Sequence, residues 1–460
     1  MNTSLLKKAT ALALSILMLV GITIPVFAAA DSTFYTITNP YETVDWDTWN
    51  QYKAQMHAHT LYSDGEMDIK DVVEAYYALD YDILAITDHG VVNQGWDKVP
   101  EMLPLIGINQ YTKKLTPLSS KRYNEITKGT DRNGKGMMDV SLGIEMNGVV
   151  MRKNHVNGYF CGYGQGLWGN EEDYETPIAQ TDKAGGISVI NHPGDFFGAN
   201  QDINRAFDPD NILPFANIFL KYESCVGTEA FNLRDTSARY DRVLWDNMLM
   251  YTIPRGRNIW GFASDDSHVE SHIGCTADVF LMPEHTEKAL RDAMEDGTFF
   301  ACSKYARLEM GEEFVGTGNF AVITNIVVDD NNDTITITFK NTDLYSDKNA
   351  ACVIECVADG VVIDSYTWES AQDSYTYTFD LNKHCDDIGS YVRFQIKDNG
   401  GMVLTQPFVC DDGNMQDYLV NYPEKNTDYG TIGNFIFSLY ETLRKTIIGE
   451  LLYKLIVLQN

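Results

Sequence analysis

The sequence predicts an α/β protein, in which a domain of alternating strands and helices precedes a small all-β domain and a C-terminal helix. Three observations carry this. From Lys53 to about Leu308, short apolar runs alternate with amphipathic stretches, the pattern of a parallel sheet with crossover helices, open or closed. Past Phe314 apolar and polar residues alternate strictly, as in half-buried antiparallel strands. Ile432–Leu458 is apolar with charges spaced along it, as in a helix with one surface to bury.

In the first region Asp82–Thr87, Asp139–Glu145, Gly186–Asn191, Gly227–Phe231 and Asn258–Ala263 read as buried strands. Asp68 is placed to cap a helix over Ile69–Leu79, and Asp241–Met250 and Thr286–Glu295 fit the helical period. A closed α/β barrel uses about 250 residues, which suits a domain over 31–312. Thr334–Phe339, Tyr375–Phe379 and Tyr391–Ile396, with a turn at 398–401, place a β-sandwich within 313–412. Residues 413–460 hold a polar linker and the apolar helix. Glu441, Arg444, Lys445, Glu450 and Lys454 argue against a membrane span there. The helix surface is left to dock on the protein itself, on a partner or on a membrane.

At the N-terminus Lys7 and Lys8 precede an apolar run, Ala9–Ile24, and the small residues Ala28-Ala29-Ala30. This is the layout of a secretory signal peptide over residues 1–30, so export to the cell envelope or medium is expected. Its removal leaves 33 basic against 65 acidic residues, taking the net charge from −30 to −32. Such a surface excludes strong nucleic-acid binding, which rests on cations meeting phosphates. Gln110–Gly136 departs from it, with seven basic residues against Glu125 and Asp131, and reads as a solvated loop or a substrate-facing lip. Eight cysteines in an exported chain permit disulfides, and none forms a CxxC zinc pair.

The chemistry concentrates where apolar strands run out. His57-Ala58-His59 puts two imidazoles on one face of a strand. Asp64 follows in a turn. His89 ends Leu84–His89, Glu145 ends Ser141–Glu145, and His155 comes ten residues later. His192 ends Ile187–His192, and Asp266 and His268 close Gly261–His268. In a parallel barrel such positions converge on one mouth. Six of the nine histidines and three acids in this context point to a metal site of mixed donors suited to zinc, manganese or iron. His272, His285 and His384 lack the strand-end context.

Gln55–Gly65, Ala85–Gly90, Gly143-Ile144-Glu145, Asn191–Gly194 and Ala263–His268 resemble, in order, the motifs of the PHP (polymerase and histidinol phosphatase) superfamily over about Gln55–Cys302. The resemblance implies a distorted seven-stranded β/α barrel with a trinuclear site holding two to three divalent ions. The implied ligands are His57, His59, Asp64, His89, Glu145, His155, His192, Asp266 and His268, with Asp265 a rival to Asp266. The implied activity is hydrolysis of a small phosphorylated substrate by metal-activated water. Arg255 is a candidate clamp on a phosphate oxygen, and His272 a candidate proton donor to the leaving group. Glu229 and Asn232 are placed to line the pocket. The competing readings are an amidohydrolase-like hydrolase of C–N bonds, disfavoured because no lysine ends a strand, and an inactive cell-surface binding protein, disfavoured by nine intact ligands.

Overall fold

A computed structural model describes residues 35–100, 115–147, 154–165, 173–236, 238–341 and 352–422. The expected signal peptide and C-terminal helix lie outside the described residues. No helix among the described residues is long and apolar enough to cross a membrane.

Two sheets frame the site. In one, Asn50–Gln55, Ile83–Leu84 and Met138–Asp139 pair in parallel, and Thr276–Met282 and Phe299–Ser303 continue it antiparallel. The other runs Ile144–Asn147, His155–Tyr159, Ile187–Ile190, Cys225–Asn232, Trp260–Ser264. Its first two pairings are antiparallel and its last two parallel. The expected all-parallel pattern fails at His155–Tyr159 for a simple reason. Only residues 148–154 separate it from the preceding strand, too few for a crossover, which takes about a dozen.

The strand expected over Asp139–Glu145 is in fact two strands in different sheets. The chain breaks at Leu142, whose φ of 60° is left-handed, and at Gly143, where a Cβ would stand 2.7 Å from the Ile86 carbonyl oxygen. Met56, Ala85 and Val140 from one sheet and Tyr159, Val189, Val226 and Phe262 from the other share one buried cluster, so the sheets face each other. Isolated parallel bridges, Ala58 to Ser267 and His89 to Glu145, link them where the strands end. Among the described residues the hydrogen bonding does not run unbroken around a closed barrel.

Helices Ile69–Ala78, Asp241–Thr252 and Glu287–Asp296 form close to where the periodicity puts them. Glu287–Asp296 buries Ala289, Leu290, Ala293 and Met294, and its N-cap Thr286 accepts from the Ala289 amide. Asp68 stands at the N-cap of its helix without capping it. Its carboxylate instead accepts the Thr116 amide at 2.9 Å.

The C-terminal part is β-rich. Val322–Asp329, Thr334–Lys340 and Tyr375–Asp380 make a three-stranded antiparallel sheet. Cys352–Ala358, Val361–Trp368, Tyr391–Asp398, Gly401–Leu404 and Phe408–Asp411 make the other layer. Ile335, Ile337 and Phe339 pack with Ile354, Phe394 and Ile396 in one core. Thr36–Thr38 pairs with Phe408–Asp411, and Gly401–Leu404 pairs with Phe299–Ser303. The sheet of the site-bearing part is therefore continuous with the β-rich part. All eight cysteines are described and none is disulfide-bonded. Cys302, Cys352, Cys356 and Cys410 serve as small core residues.

Candidate metal centre

Asn50–Gln55 runs straight into His57-Ala58-His59, and both imidazoles are buried. The turn after them is fixed by Asp88. Its carboxylate accepts from the Thr60 amide (2.7 Å) and hydroxyl (2.7 Å) and from the Ser63 amide (3.1 Å) and hydroxyl (2.6 Å). Asp88 is thereby spent on shaping the loop that carries Asp64. Gly65 allows the loop to close, since a Cβ there would lie 2.8 to 2.9 Å from the backbone of His59 and Thr60.

All nine predicted ligands come to one place, in overlapping groups. His57 Nε2 and His59 Nε2 stand 3.0 Å apart, and Asp266 Oδ1 lies 3.3 and 3.1 Å from them. Glu145 Oε2 is 3.3 and 3.2 Å from the same nitrogens. Donors bound to one ion at about 2.0–2.2 Å fall about 3.0–3.5 Å from one another, so this spacing fits a metal. Glu145 also meets His89 Nδ1 (3.0 Å, through Oε2) and His155 Nδ1 (3.0 Å, through Oε1). Asp64 gathers His268 Nε2 (3.4 Å), His59 Nδ1 (3.7 Å) and His89 Nε2 (3.7 Å). His192 Nε2 stands 3.7 Å from Glu145 and 3.6 Å from Asp266. His155 reaches the cluster because its strand is antiparallel, so its first residue lies at the end where its parallel neighbours finish.

Other features fit a cation. His89 Nδ1 and Glu145 Oε2 approach to 3.0 Å without hydrogen-bond geometry, and His192 Nδ1 is buried without a hydrogen-bond partner, states that buried polar atoms rarely tolerate. His192 and Asp266 hold left-handed φ values of 25° and 43°. Such strain costs about 1–3 kcal/mol per residue and persists only where the surroundings enforce it.

The charges are strongly coupled. Burial would raise Glu145, but His155, His89 and His57 hold it well below the usual carboxylate range. Asp266 is likewise held low by His57, His59 and His192 against the effect of burial. Burial pulls His192 and His268 down, yet neighbouring carboxylates push each up to about 9. Divalent ions entering here would take the place of these protons.

The two residues outside the ligand set fare differently. Arg255 is not at the cluster. It precedes strand Trp260–Ser264, at the end of the sheet away from Asp266 and His268, and its guanidinium donates to the carbonyls of Tyr251 (2.8 Å) and Val420 (3.0 Å). The arginine that follows a strand end is Arg234, two residues past Cys225–Asn232, donating to the Ser271 carbonyl at 2.6 Å. Its position just after a strand was the sequence signal for it. His272 is at the mouth, its ring centroid 6.5 Å from that of His268. Burial, with His268 and Arg234 beside it, lowers its pKa.

Asp265 faces away from the cluster. It accepts from the Gly274 and Thr276 amides and from Tyr76, so Asp266 alone of the pair meets the histidines. Glu229 and Asn232 lie buried beneath the ligands.

Fold and site together define an α/β domain with a buried histidine–carboxylate cluster of metal-binding type. Residues 55–187 match the family model of the PHP domain, a stretch that holds His57, His59, Asp64, His89, Glu145 and His155. Solved structures are similar at low identity. A two-domain protein from Bacteroides vulgatus containing a predicted PHP-like metal-dependent phosphoesterase is 15% identical, covering 80% of this chain and 96% of its own, with a TM-score of 0.41. A candidate metal-dependent phosphoesterase from Bifidobacterium adolescentis is 13% identical over 47% of this chain and 88% of its own, with a TM-score of 0.26. An amidohydrolase from Chromobacterium violaceum, with bound sulfate and no metal, is 14% identical over 47% and 87%, with a TM-score of 0.27. No curated protein matches.

Proposed function

We propose that the protein is an exported, metal-dependent phosphoesterase whose nine cluster residues hold two to three divalent ions, zinc, manganese or iron. The observation that carries this is the convergence of His57, His59, Asp64, His89, Glu145, His155, His192, Asp266 and His268 at donor spacings suited to shared ions. When bound, such ions supply positive charge for a phosphoryl group and acidify a water to the point where it attacks near neutral pH. In a chain of net charge −30 that positive charge must be local.

The chain's own residues do the rest. Asp88 fixes the Asp64 loop through four hydrogen bonds. Buried walls keep bulk water from the inner donors, since His57, His59 and Glu145 have almost no exposed surface. Arg234, which follows a strand end beside His272, supplies a positive charge near the cluster that an anionic substrate could meet. In this reading the facing sheets are two arcs of a distorted barrel, supported by their shared core and the two bridges. The export signal over residues 1–30 and a membrane, envelope or partner contact through 432–458 belong to the same proposal and rest on sequence alone.

The test is metal analysis and activity on one sample. Protein never exposed to chelator should carry two to three divalent ions per chain and hydrolyse a panel of phosphomonoesters or phosphodiesters. His57→Ala and Asp266→Ala should each lose metal along with activity. A chain carrying no metal, or a loaded chain inert to every phosphoester, refutes the reading.

A further inference from the structure

Glu229 sits in strand Cys225–Asn232 with no exposed surface, and both its carboxylate oxygens are engaged. Oε1 lies 2.7 Å from His57 Nδ1. Oε2 accepts the His192 backbone N–H at 2.9 Å and the Asn232 Nδ2–H at 2.9 Å. Asn232 also reaches Asp266 Oδ2 at 3.4 Å. One strand thus touches three of the nine cluster residues, none of them its neighbour in sequence.

A regular strand could not do this. Residues three apart on a strand face opposite sides. Here Glu229 pairs with Phe262 and Phe231 with Ala263, so one extra residue is inserted between them. Such a bulge re-aims the side chains that follow it, and it turns Glu229 and Asn232 to the same interior.

We propose that Glu229 is a positioning residue of the cluster, fixing which nitrogen of His57 faces the ions and pinning the strained backbone of His192. A carboxylate only accepts hydrogen bonds, so His57 keeps its proton on Nδ1 and presents the Nε2 lone pair to the space shared with His59, Glu145 and Asp266. The same carboxylate holds the His192 amide, and Asp241 Oδ1 holds the Gly194 amide at 2.9 Å. The left-handed turn at His192 is clamped from both directions.

The inference rests on the cluster being a metal site, and the test separates the two. Zn2+ affinity is measured by chelator competition on the full chain as wild type, Glu229→Gln and Glu229→Asp. Gln keeps the volume but cannot accept from two donors on opposite oxygens, and Asp is too short to span them. Both variants should bind Zn2+ about 10–100-fold more weakly. The Co2+-substituted Glu229→Gln protein should show a changed absorption spectrum, and its metal-free form should melt close to wild type. Wild-type affinity and spectrum in Glu229→Gln overturn the positioning role, as does an affinity loss matched by collapse of the metal-free fold. A wild-type chain that takes up no Zn2+ overturns the metal reading itself. If Glu229→Asp fails to fold, the isosteric Glu229→Gln decides.

Discussion

Asp246, on helix Asp241–Thr252, and Arg393, on strand Tyr391–Asp398, join the site-bearing and β-rich parts by a buried ion pair. Arg393 Nε and Nη2 donate to the two Asp246 oxygens at 2.8 and 2.7 Å, and the Tyr391 hydroxyl donates to the same carboxylate at 2.7 Å. Both side chains are 4% exposed. Asp246→Ala leaves a buried guanidinium without its counter-charge and a buried hydroxyl without its acceptor. Removing one partner of such a pair costs about 3–5 kcal/mol. With an unfolding entropy of about 2.1 cal/mol/K per residue, a unit spanning 35–422 has roughly 0.8 kcal/mol/K, so Tm should fall by about 4–6 °C. Arg393→Met should cost a similar amount. The double variant should recover part of either loss, because replacing both charges removes the unpaired one. The assay is calorimetric melting of the metal-loaded protein and its three variants. Single variants within 1 °C of wild type, or a double variant as unstable as the two losses added, would refute the reasoning.

Two further outcomes follow from the site. Gly65→Ala forces a Cβ to within 2.8–2.9 Å of the His59 and Thr60 backbone, and overpacking of this kind costs about 1–3 kcal/mol. It should displace Asp64 from His268 and lower the bound metal by about one ion per chain, read by elemental analysis; a full complement refutes it. His192 and His268 are raised to about 9 in the metal-free fold, against an ordinary 6.5. The stability this gives the metal-free protein is complete below about pH 6.5 and is lost as pH rises through about 9. The Tm gap between loaded and metal-free protein should therefore widen across that window, and a gap independent of pH counts against the coupling.

Much of this was legible in the sequence because strand ends leave a readable mark. Apolar runs such as Leu84–Ile86 and Ile187–Ile190 stop at a histidine, and each of those histidines reached the cluster. Of the rivals Asp265 and Asp266, implied by the family resemblance, it is Asp266 that lies among the histidines, since Asp265 is consumed by backbone amides. What misled was direction and continuity. Arg255 comes before Trp260–Ser264, and a strand of that parallel set meets the cluster only at its far end. Asp139–Glu145 reads as one apolar run, but a left-handed residue inside it sends its halves to different sheets, and nothing in apolar periodicity marks that turn. Glu229 was placed at the pocket, yet its sharing one face with Asn232 depends on a bulge that only pairing with Trp260–Ser264 reveals.

The pairing of Gly401–Leu404 with Phe299–Ser303, and of Thr36–Thr38 with Phe408–Asp411, has a consequence for the order in which the chain can mature. A ribosome delivers every cluster residue by His268, well over a hundred positions before the strand that seals the adjoining sheet. Until then Phe299–Ser303 keeps a bare edge of the kind that recruits stray strands, and the first strand waits for almost the last. Nascent chains halted near residue 308 should therefore stay protease-sensitive and prone to associate, while chains released past residue 411 close in a single step. A chain whose opening strand waits for a partner near residue 411 completes that sheet only late in its synthesis.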